Sequence, residues 1–352
     1  MKLYDNPLYM EDVIRVGQTD LPWEKLKNKT IVISGATGLL GSFLIDVILE
    51  KNVREKLDCM VVALCRNVKN AEERFEKYLT EGCIRFVPYD AGEPIAYNAN
   101  NESVDYVLHF ASNTHPLQYA TDPIGTIATN VMGLKNILDF AAEHQAIRVA
   151  FASSNEIYGE NRGDTELFDE KYCGYIDSNT LRAGYPESKR CGEALCQAYI
   201  AQKGLDVVIP RFTRSYGPTM KLSDSKVVSQ FIKKGINGED VVLKSEGNQF
   251  YSFTYVADAI SGFLTVLFKG KTGEAYNIAD ASSDIRLRDL AEIVAEINGK
   301  KVIFDIPDSV EAAGYSKATK ARLEGSKLQA LGWKAQYGIR DGIERTIRIM
   351  RE

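Results

Sequence analysis

The chain has 352 residues, of which 45% are hydrophobic and 26% charged, as in an ordinary folded protein with one large or two smaller domains. This composition argues against a disordered chain, a fibrous repeat and a small disulfide-stabilised domain. The net charge of −5 gives no sign of a nucleic-acid-binding surface, although a local group of arginine and backbone N–H groups can still bind an anionic ligand.

The N-terminal segment, the most apolar stretch, the cysteines and the histidines indicate where the protein is located and whether it binds a metal ion. Asp5, Glu11 and Asp12 interrupt the N-terminal segment before any apolar run, so no signal peptide is predicted. The most apolar stretch, residues 31–49, contains three glycines and several polar residues, which predicts no membrane helix. The six cysteines form no Cys-x-x-Cys pair, which predicts a cytoplasmic protein with reduced thiols. No metal site is predicted, since the only histidines are His109, His115 and His144.

Short apolar runs alternate with segments of helical periodicity after a polar segment, residues 1–28, that contains one amphipathic stretch at 11–16. Strands are predicted at 30–34, 60–64, 84–88, 105–110, 148–152 and 207–209. Helices are predicted at 39–50, 71–79, 123–143 and about 183–203. This alternation predicts an α/β protein with a doubly wound parallel sheet. After residue 211 the loops lengthen, which predicts a smaller C-terminal lobe over the carboxyl edge of the sheet.

A glycine-rich turn joins the first predicted strand to the first predicted helix. Gly35, Gly38 and Gly41 are three residues apart in the run Gly-Ala-Thr-Gly-Leu-Leu-Gly. The first permits a tight turn, the second lets the backbone approach a pyrophosphate, and the third allows close packing of helix on strand. The turn therefore predicts dinucleotide binding on a Rossmann-type fold. The predicted division is an N-terminal extension at 1–28, a dinucleotide-binding domain at 29–213 plus 250–280, and a substrate-binding lobe at 214–249 plus 281–352.

The end of the second predicted strand bears on the choice of dinucleotide. An acidic residue there binds the ribose 2′-hydroxyl of NAD, but this chain reads Cys65-Arg66-Asn67. Arg66 either meets the 2′-phosphate of NADP or is a solvated surface arginine. NADP is therefore favoured, and NAD stays open.

A tyrosine and a lysine share one face of the helix predicted at 183–203. Tyr185 and Lys189 are four residues apart, and a nearby cation is expected to lower the pKa of the phenol toward neutrality. Tyr185 is then a usable general base for a sugar hydroxyl. Ser154, just after the strand at 148–152, is placed to share that hydroxyl, and Glu156 is a second candidate acid or base. Alternatively, this serine-rich turn only caps a helix or loop.

Together these motifs resemble the extended short-chain dehydrogenase/reductase family of NAD-dependent nucleotide-sugar epimerases and dehydratases, from about residue 30 to the C-terminus. Further matching segments are 105–111, Asn130, Arg211 with Gly217-Pro218, and 255–258. The nearest branch is that of the UDP-glucuronate decarboxylases. Its matching residues are Asp122-Pro123-Ile124, Arg182, Lys189-Arg190, Glu193 and 227–229.

The resemblance implies a role for each matched residue. Tyr185 would take the proton of the sugar 4-hydroxyl as hydride leaves C4, Lys189 would tune Tyr185, and Ser154 would orient the hydroxyl. The implied catalytic set is Ser154, Asn155, Glu156, Tyr185 and Lys189. The implied cofactor-binding set is Gly35, Thr37, Gly38, Leu39, Leu40, Gly41, Arg66, Asp90, Ala91, Ala111, Ser112, Asn130, Tyr185, Lys189 and Phe212. The substrate-binding residues predicted for this chain are Arg182, Arg214, Val241 and Tyr251. The resemblance also implies a homodimer through the helices that carry Asn130 and Tyr185.

Three positions depart from the family pattern. Asn155 stands where dehydratases of the thymidine-nucleotide type have an aspartic acid, and a neutral amide cannot replace that proton donor. Tyr251 stands where relatives have an arginine that grips the diphosphate or the sugar acid. Arg214 stands where relatives have asparagine. Arg214 either supplies the cation missing at position 251 or pairs with a local carboxylate.

The favoured function is an NAD(P)-dependent nucleotide-sugar epimerase, dehydratase or decarboxylase that forms a 4-keto sugar and returns the hydride. The alternative enzyme is a net NADPH-dependent nucleotide-sugar reductase or dehydrogenase, which Arg66 makes credible. The non-enzymatic alternative is a dinucleotide-binding regulator. Retention of Ser154, Glu156, Tyr185 and Lys189 argues against the regulator, which would need none of them. The expected partner is a nucleotide-diphosphate sugar, with no nucleic acid and no membrane.

Overall fold

The computed structural model describes residues 2–97, 103–114, 119, 121–305 and 320–351. His115, one of the three histidines considered as metal ligands, lies outside these residues. The strands are β1 Thr30–Ser34, β2 Met60–Cys65, β3 Ile84–Pro88, β4 Tyr106–His109, β5 Arg148–Phe151, β6 Ser153–Ser154, β7 Val207–Phe212, β8 Arg214–Tyr216, β9 Val241–Leu243, β10 Phe250–Tyr255, β11 Ala275–Ile278, β12 Asp284–Arg286, β13 Val302–Phe304 and β14 Lys320–Ala321. The helices are α1 Pro7–Gly17, α2 Leu39–Glu55, α3 Val68–Arg74, α4 Pro123–Glu143, α5 Gly184–Lys203, α6 Val227–Asn237, α7 Val256–Lys269, α8 Leu287–Ile297, α9 Ser326–Gln329 and α10 Ile339–Arg351.

The central sheet is parallel throughout, in the order β11-β7-β5-β4-β1-β2-β3, with β6 beside the end of β7. Successive side chains of a strand point to opposite faces. Ile31 and Ile33 accordingly pack into the cluster that contains α2 and α7, whereas Val32 packs into the cluster that contains α4 and α5. Helices thus cover both faces, which confirms the doubly wound parallel sheet.

The predicted strands of this sheet are confirmed within three residues at either end, as are the helices predicted at 39–50, 123–143 and 183–203, the first of which extends to Glu55. The helix predicted at 71–79 is wrong in extent. An α-helix ends at Arg74, and a 3-10 helix follows from Glu76 to Glu81. Between them Phe75 leaves the helical region, at φ −111° and ψ 20°, and its fully buried ring stacks on Phe86. Tertiary packing therefore overrides the helical periodicity.

The N-terminal segment, described from residue 2 to residue 28, packs against the rest of the protein. The sequence alone indicates no role for it. The side chain of Asn6 caps α1 by accepting from the N–H groups of Leu8 and Tyr9, and α1 packs across α2 and α7. Asp12, fully buried, accepts hydrogen bonds of 2.6 Å from the hydroxyls of Tyr255 and Tyr337 and pairs with Arg345 at 2.7 Å. Through these contacts the Asp12 carboxylate connects α1 to β10 and α10.

A second sheet begins where β7 leaves the central sheet. Only Thr213 separates β7 from β8, and β8 pairs in parallel with β10. β10 also pairs with β12 and β14, and β9 pairs separately with β13. The turn from β7 to β8 therefore lies at the carboxyl edge of the central sheet, next to the ends of β1, β4 and β5. None of the described helices is long and apolar enough to cross a membrane.

Candidate active site

The glycine-rich turn forms a cradle between β1 and α2. Gly35 has φ +69°, and a Cβ there would lie 2.7 Å from the backbone N of Ala111, while a Cβ at Gly41 would collide with the carbonyl oxygen of Gly35. Gly38 is the N-cap of α2 and has no side chain to cap it, so the first N–H groups of the helix, on Leu39 and Leu40, stay available. Because these N–H groups and the helix dipole suit an anion, the cradle fits the pyrophosphate of a dinucleotide.

Polar groups at the ends of β1 and β4 fix the wall of this cradle. The hydroxyl of Ser34 hydrogen-bonds with Nδ1 of His109 at 2.7 Å and accepts from the N–H of Ala111 at 3.4 Å. Burial lowers the pKa of His109 to about 3, so its imidazole is neutral at physiological pH. His109 therefore holds the backbone of the cradle and carries no charge into it.

A hydrogen-bonded chain joins the cradle to α5. The hydroxyl of Ser112 donates to Oδ1 of Asn130 at 2.7 Å, and the Asn130 amide donates to the hydroxyl of Ser188 at 2.8 Å. Ser188 in turn donates to the carbonyl oxygen of Tyr185 at 2.8 Å. The structure thus brings Ser112, Asn130 and Tyr185 together, as the sequence predicts, and adds Ser188, which lies three residues after Tyr185 on the same helix face.

Tyr185 is buried, with 5% of its surface exposed, and its hydroxyl interacts with the hydroxyls of Ser154 and Ser112. Burial raises the pKa of Tyr185 to about 12, while these two hydrogen bonds act in the opposite direction. The prediction that its neighbouring cation brings the phenol toward neutrality is therefore wrong for this structure. Desolvation, which the sequence does not display, outweighs the favourable contacts.

Lys189 lies one helical turn after Tyr185 and is 3% exposed. Its ammonium donates to the carbonyl oxygen of Ala152 at 2.9 Å and lies 4.8 Å from the ring centroid of Phe151. Burial lowers the pKa of Lys189 to about 8, so the group is still mostly protonated at neutral pH. A buried cation thus stands on the same helix face as the phenol.

Glu156 and Arg182 form an ion pair beside Tyr185. The Arg182 guanidinium donates to Glu156 Oε2 at 2.6 Å, and it also lies 5.1 Å from the ring centroid of Tyr119. Tyr119 stacks on Tyr185 with ring centroids 4.8 Å apart. Tyr119 belongs to no motif that the sequence displays, so its place against Tyr185 could not be predicted. The hydroxyl of Ser154 accepts from the N–H of Glu156 at 3.2 Å, which shows that the serine also caps the turn.

A second group of contacts surrounds Asn155. It contains Phe212, Arg214 and Tyr251. In the amide orientation that satisfies both neighbours, Asn155 donates to the carbonyl oxygen of Phe212 at 3.2 Å and accepts from Nη1 of Arg214 at 2.9 Å. The Arg214 guanidinium lies 3.8 Å from the ring centroid of Tyr251. The structure therefore brings together the two positions, 214 and 251, that depart from the family pattern.

The remaining predicted residues lie at the edges of the site or outside it. Arg66 and Asp90 are exposed after β2 and β3, and buried Ala91 follows Asp90. Thr37 is half-buried within the glycine-rich turn. Val241 is fully buried in β9 and presents no surface to a ligand. In the part of the chain that the structure describes, no group of three or more His, Cys, Asp or Glu side chains is arranged to hold a metal ion.

This chain is similar to known proteins over most of its length. The UDP-glucuronic acid decarboxylase 3 of Arabidopsis thaliana is 30% identical over 320 residues, covering 90% of this chain and 87% of that protein. Two solved structures share the fold across 92% of this chain. The dTDP-glucose 4,6-dehydratase DesIV from Streptomyces venezuelae has a TM-score of 0.75 at 24% identity and is covered over 97% of its length. The UDP-glucuronic acid 4-epimerase from Bacillus cereus has a TM-score of 0.76 at 20% identity and is covered over 99%.

The family model described as the NAD dependent epimerase/dehydratase family matches residues 31–279. That span runs from the glycine-rich turn through Tyr185 and Lys189 to the end of β11. The chain therefore belongs to the NAD-dependent epimerase/dehydratase family of enzymes.

Proposed function

We propose that this chain is a nucleotide-sugar enzyme that oxidises a sugar at C4, acts on the 4-keto sugar and reduces it again, with net epimerisation, dehydration or decarboxylation. The observation that carries the proposal is the meeting of Ser154, Tyr185 and Lys189 next to the glycine cradle. The relative from Arabidopsis thaliana, a UDP-glucuronic acid decarboxylase by name, supports a nucleotide-sugar substrate.

The cradle residues Gly35, Gly38 and Gly41 would hold the cofactor pyrophosphate, and Lys189 would lie at the nicotinamide ribose. When bound, NAD(P) supplies the acceptor and donor of hydride at C4. The protein's own part is proton transfer and positioning. Ser154 orients the sugar hydroxyl, and Tyr185 takes the hydroxyl proton, aided by its hydrogen bonds with Ser154 and Ser112, which favour the phenolate.

The second step acts on the acidified C5 position of a 4-keto sugar. Glu156 is the group we assign to it, because it lies two residues from Ser154 and is held by Arg182. Asn155 hydrogen-bonds to Phe212 and Arg214 and has no proton to give as an acid. This arrangement favours proton removal or decarboxylation over a dehydration that needs a second acid at position 155.

Arg66 favours NADP, and with it the second candidate function, a net NADPH-dependent reductase. It is exposed after β2, no acidic residue adjoins it, and it forms no side-chain hydrogen bond or ion pair with any residue that the structure describes. A guanidinium in this place suits a 2′-phosphate.

A homodimer through α4 and α5 is the assembly that the surface supports. Large apolar side chains are exposed on α4, with Ile124 82% and Met132 51% exposed, and in the 3-10 turn that leads into α5, with Leu181 68% exposed. Ile124 and Met132 lie two turns apart on α4, so they share one helix face. Contiguous exposed apolar residues are typical of a protein interface.

The proposed proton transfer is tested with Tyr185→Phe. This change removes the acidic hydroxyl and keeps the ring, so we expect kcat to fall by about 10²–10⁴-fold while cofactor and sugar-nucleotide affinities change little. Turnover is measured by mass spectrometry of the products from UDP-glucuronate and UDP-glucose. Tyr199→Phe, on the same helix but bonded to Asp139, is the matched control. Activity retained by Tyr185→Phe would exclude the tyrosine as the base.

The cofactor preference is tested with Arg66→Ala. We expect the Kd for NADP to rise about tenfold and the Kd for NAD to stay within threefold, because only NADP carries the 2′-phosphate. Both are measured by isothermal titration, with the exposed Lys69→Ala as control. An equal change for both dinucleotides, or none, would show that Arg66 does not read the ribose.

The assembly is tested with Ile124→Glu and Met132→Glu. A charge buried in an apolar interface is costly, so light scattering should show a dimer for the wild type and a monomer for the variants. Val53→Glu changes an exposed apolar residue on α2, outside the proposed interface, and should stay dimeric. A monomeric wild type at micromolar concentration would contradict the proposed interface.

A further inference from the structure

Arg214 and Tyr251 project onto one patch of the second sheet. β8 pairs with β10 so that Arg214 lies beside Phe253, two residues after Tyr251. Because side chains alternate along a strand, positions 251 and 253 share a face. A long side chain at position 214 therefore reaches the diagonal neighbour at 251, and the guanidinium lies 3.8 Å from the Tyr251 ring centroid.

A second contact fixes Arg214 from the side of the catalytic turn. Its Nη1 donates to the side chain of Asn155 at 2.9 Å, and Asn155 is bonded in turn to the carbonyl oxygen of Phe212. Asn155 stands between Ser154 and Glu156 in the sequence. The guanidinium is thus held between an aromatic face and an amide, immediately beside the groups assigned to the chemistry.

The charge of Arg214 has no acidic partner among the residues that the structure describes. Arg182 pairs with Glu156, and Arg211 pairs with Glu193, both at 2.6 Å, whereas no described carboxylate lies within 4.0 Å of Arg214. A guanidinium has five N–H donors in a rigid fork that matches an oxyanion. A half-buried arginine held in place without a counter-charge is therefore suited to an anionic ligand.

We propose that Arg214, positioned by Tyr251 and Asn155, is the substrate-binding residue that receives an oxyanion of the nucleotide sugar. This assignment rests on the proposed function and specifies its substrate contact. The guanidinium comes from β8 and lies over position 251 of the neighbouring strand β10. The ring of Tyr251 is the surface against which the guanidinium packs.

Two groups of such a substrate carry oxyanions, the diphosphate and a carboxylate at C6 of a sugar acid. Both offer the oxygens that a guanidinium fork binds. They are distinguished by probes that differ in one group at a time. UDP-glucuronate has both, UDP-glucose has the diphosphate only, and UDP has the diphosphate without a sugar.

The test compares the Kd of these three probes, by isothermal titration with NAD present, for the wild type, Arg214→Ala and the exchange variant Arg214→Asn/Tyr251→Arg. We expect Arg214→Ala to weaken binding of at least UDP-glucuronate by ten- to a hundredfold, since a charged hydrogen bond is lost. The exchange variant should bind the probe with a Kd within about fivefold of the wild-type value. Recovery would separate a charge effect from a folding defect.

The matched control is Arg286→Ala. Arg286 lies 5.5 Å from the ring of Phe250, a neighbour of Tyr251 whose side chain points to the opposite face, so its removal should leave all three Kd values unchanged. A loss confined to UDP-glucuronate assigns the carboxylate, and an equal loss for all three probes assigns the diphosphate.

Binding by Arg214→Ala within threefold of the wild type for every probe would overturn this assignment and leave the proposed function standing. So would an exchange variant that is folded by circular dichroism yet binds no better than Arg214→Ala. A wild type that binds NAD and none of the sugar nucleotides would contradict the proposed function, and this assignment with it.

Discussion

The proposed site depends on a buried ammonium group that shares one helix face with a buried phenol. Lys189 donates a hydrogen bond to the carbonyl oxygen of Ala152 and lies over the face of Phe151. Desolvation lowers its pKa to about 8 from the ordinary 10.5, so the folded state binds this proton more weakly than the unfolded chain does. The cost to stability is full below about pH 8 and is relieved as the pH rises toward 10.5. A buried ammonium that destabilises the fold at neutral pH, on the same helix face as Tyr185, supports the catalytic role that we propose for Lys189.

The parallel sheet explains why distant parts of the sequence share this site. Four residues of the site lie at or just after the ends of central strands. Ser34 ends β1, Ser112 follows β4, Ser154 follows β5 in β6, and Arg214 follows β7 in β8. The carboxyl ends of these neighbouring strands meet at one edge, where α5 brings Tyr185 and Lys189 against them. The N-terminal helix, anchored through Asp12 to β10 and α10, supports the second sheet from which Tyr251 comes.

Local spacing made much of this predictable. The glycine-rich turn, the positions of the central strands and the spacing of Tyr185 and Lys189 are patterns within a few residues, and the structure has them where the sequence predicts them. Features set by distant packing were missed. Phe75 ends a helix that periodicity continues, because its ring is needed in the core, and the stacking of Tyr119 on Tyr185 leaves no sequence signal. The start of α1 was also missed, although Asn6 before Pro7, an N-cap followed by a proline that fits the first turn, is a local signal for it.

The electrostatics of the site also divide into features set by local spacing and features set by distant packing. Helical spacing correctly puts a cation and a phenol on one face, but the pKa of Tyr185 depends on burial, which raises it to about 12. The most direct test of the account is the titration of Lys189 by NMR of its ε-carbon, assigned with a Lys189→Arg variant. The account predicts a midpoint near pH 8. A midpoint at the ordinary value of 10.5 would show that this ammonium is solvated and is not buried in the site.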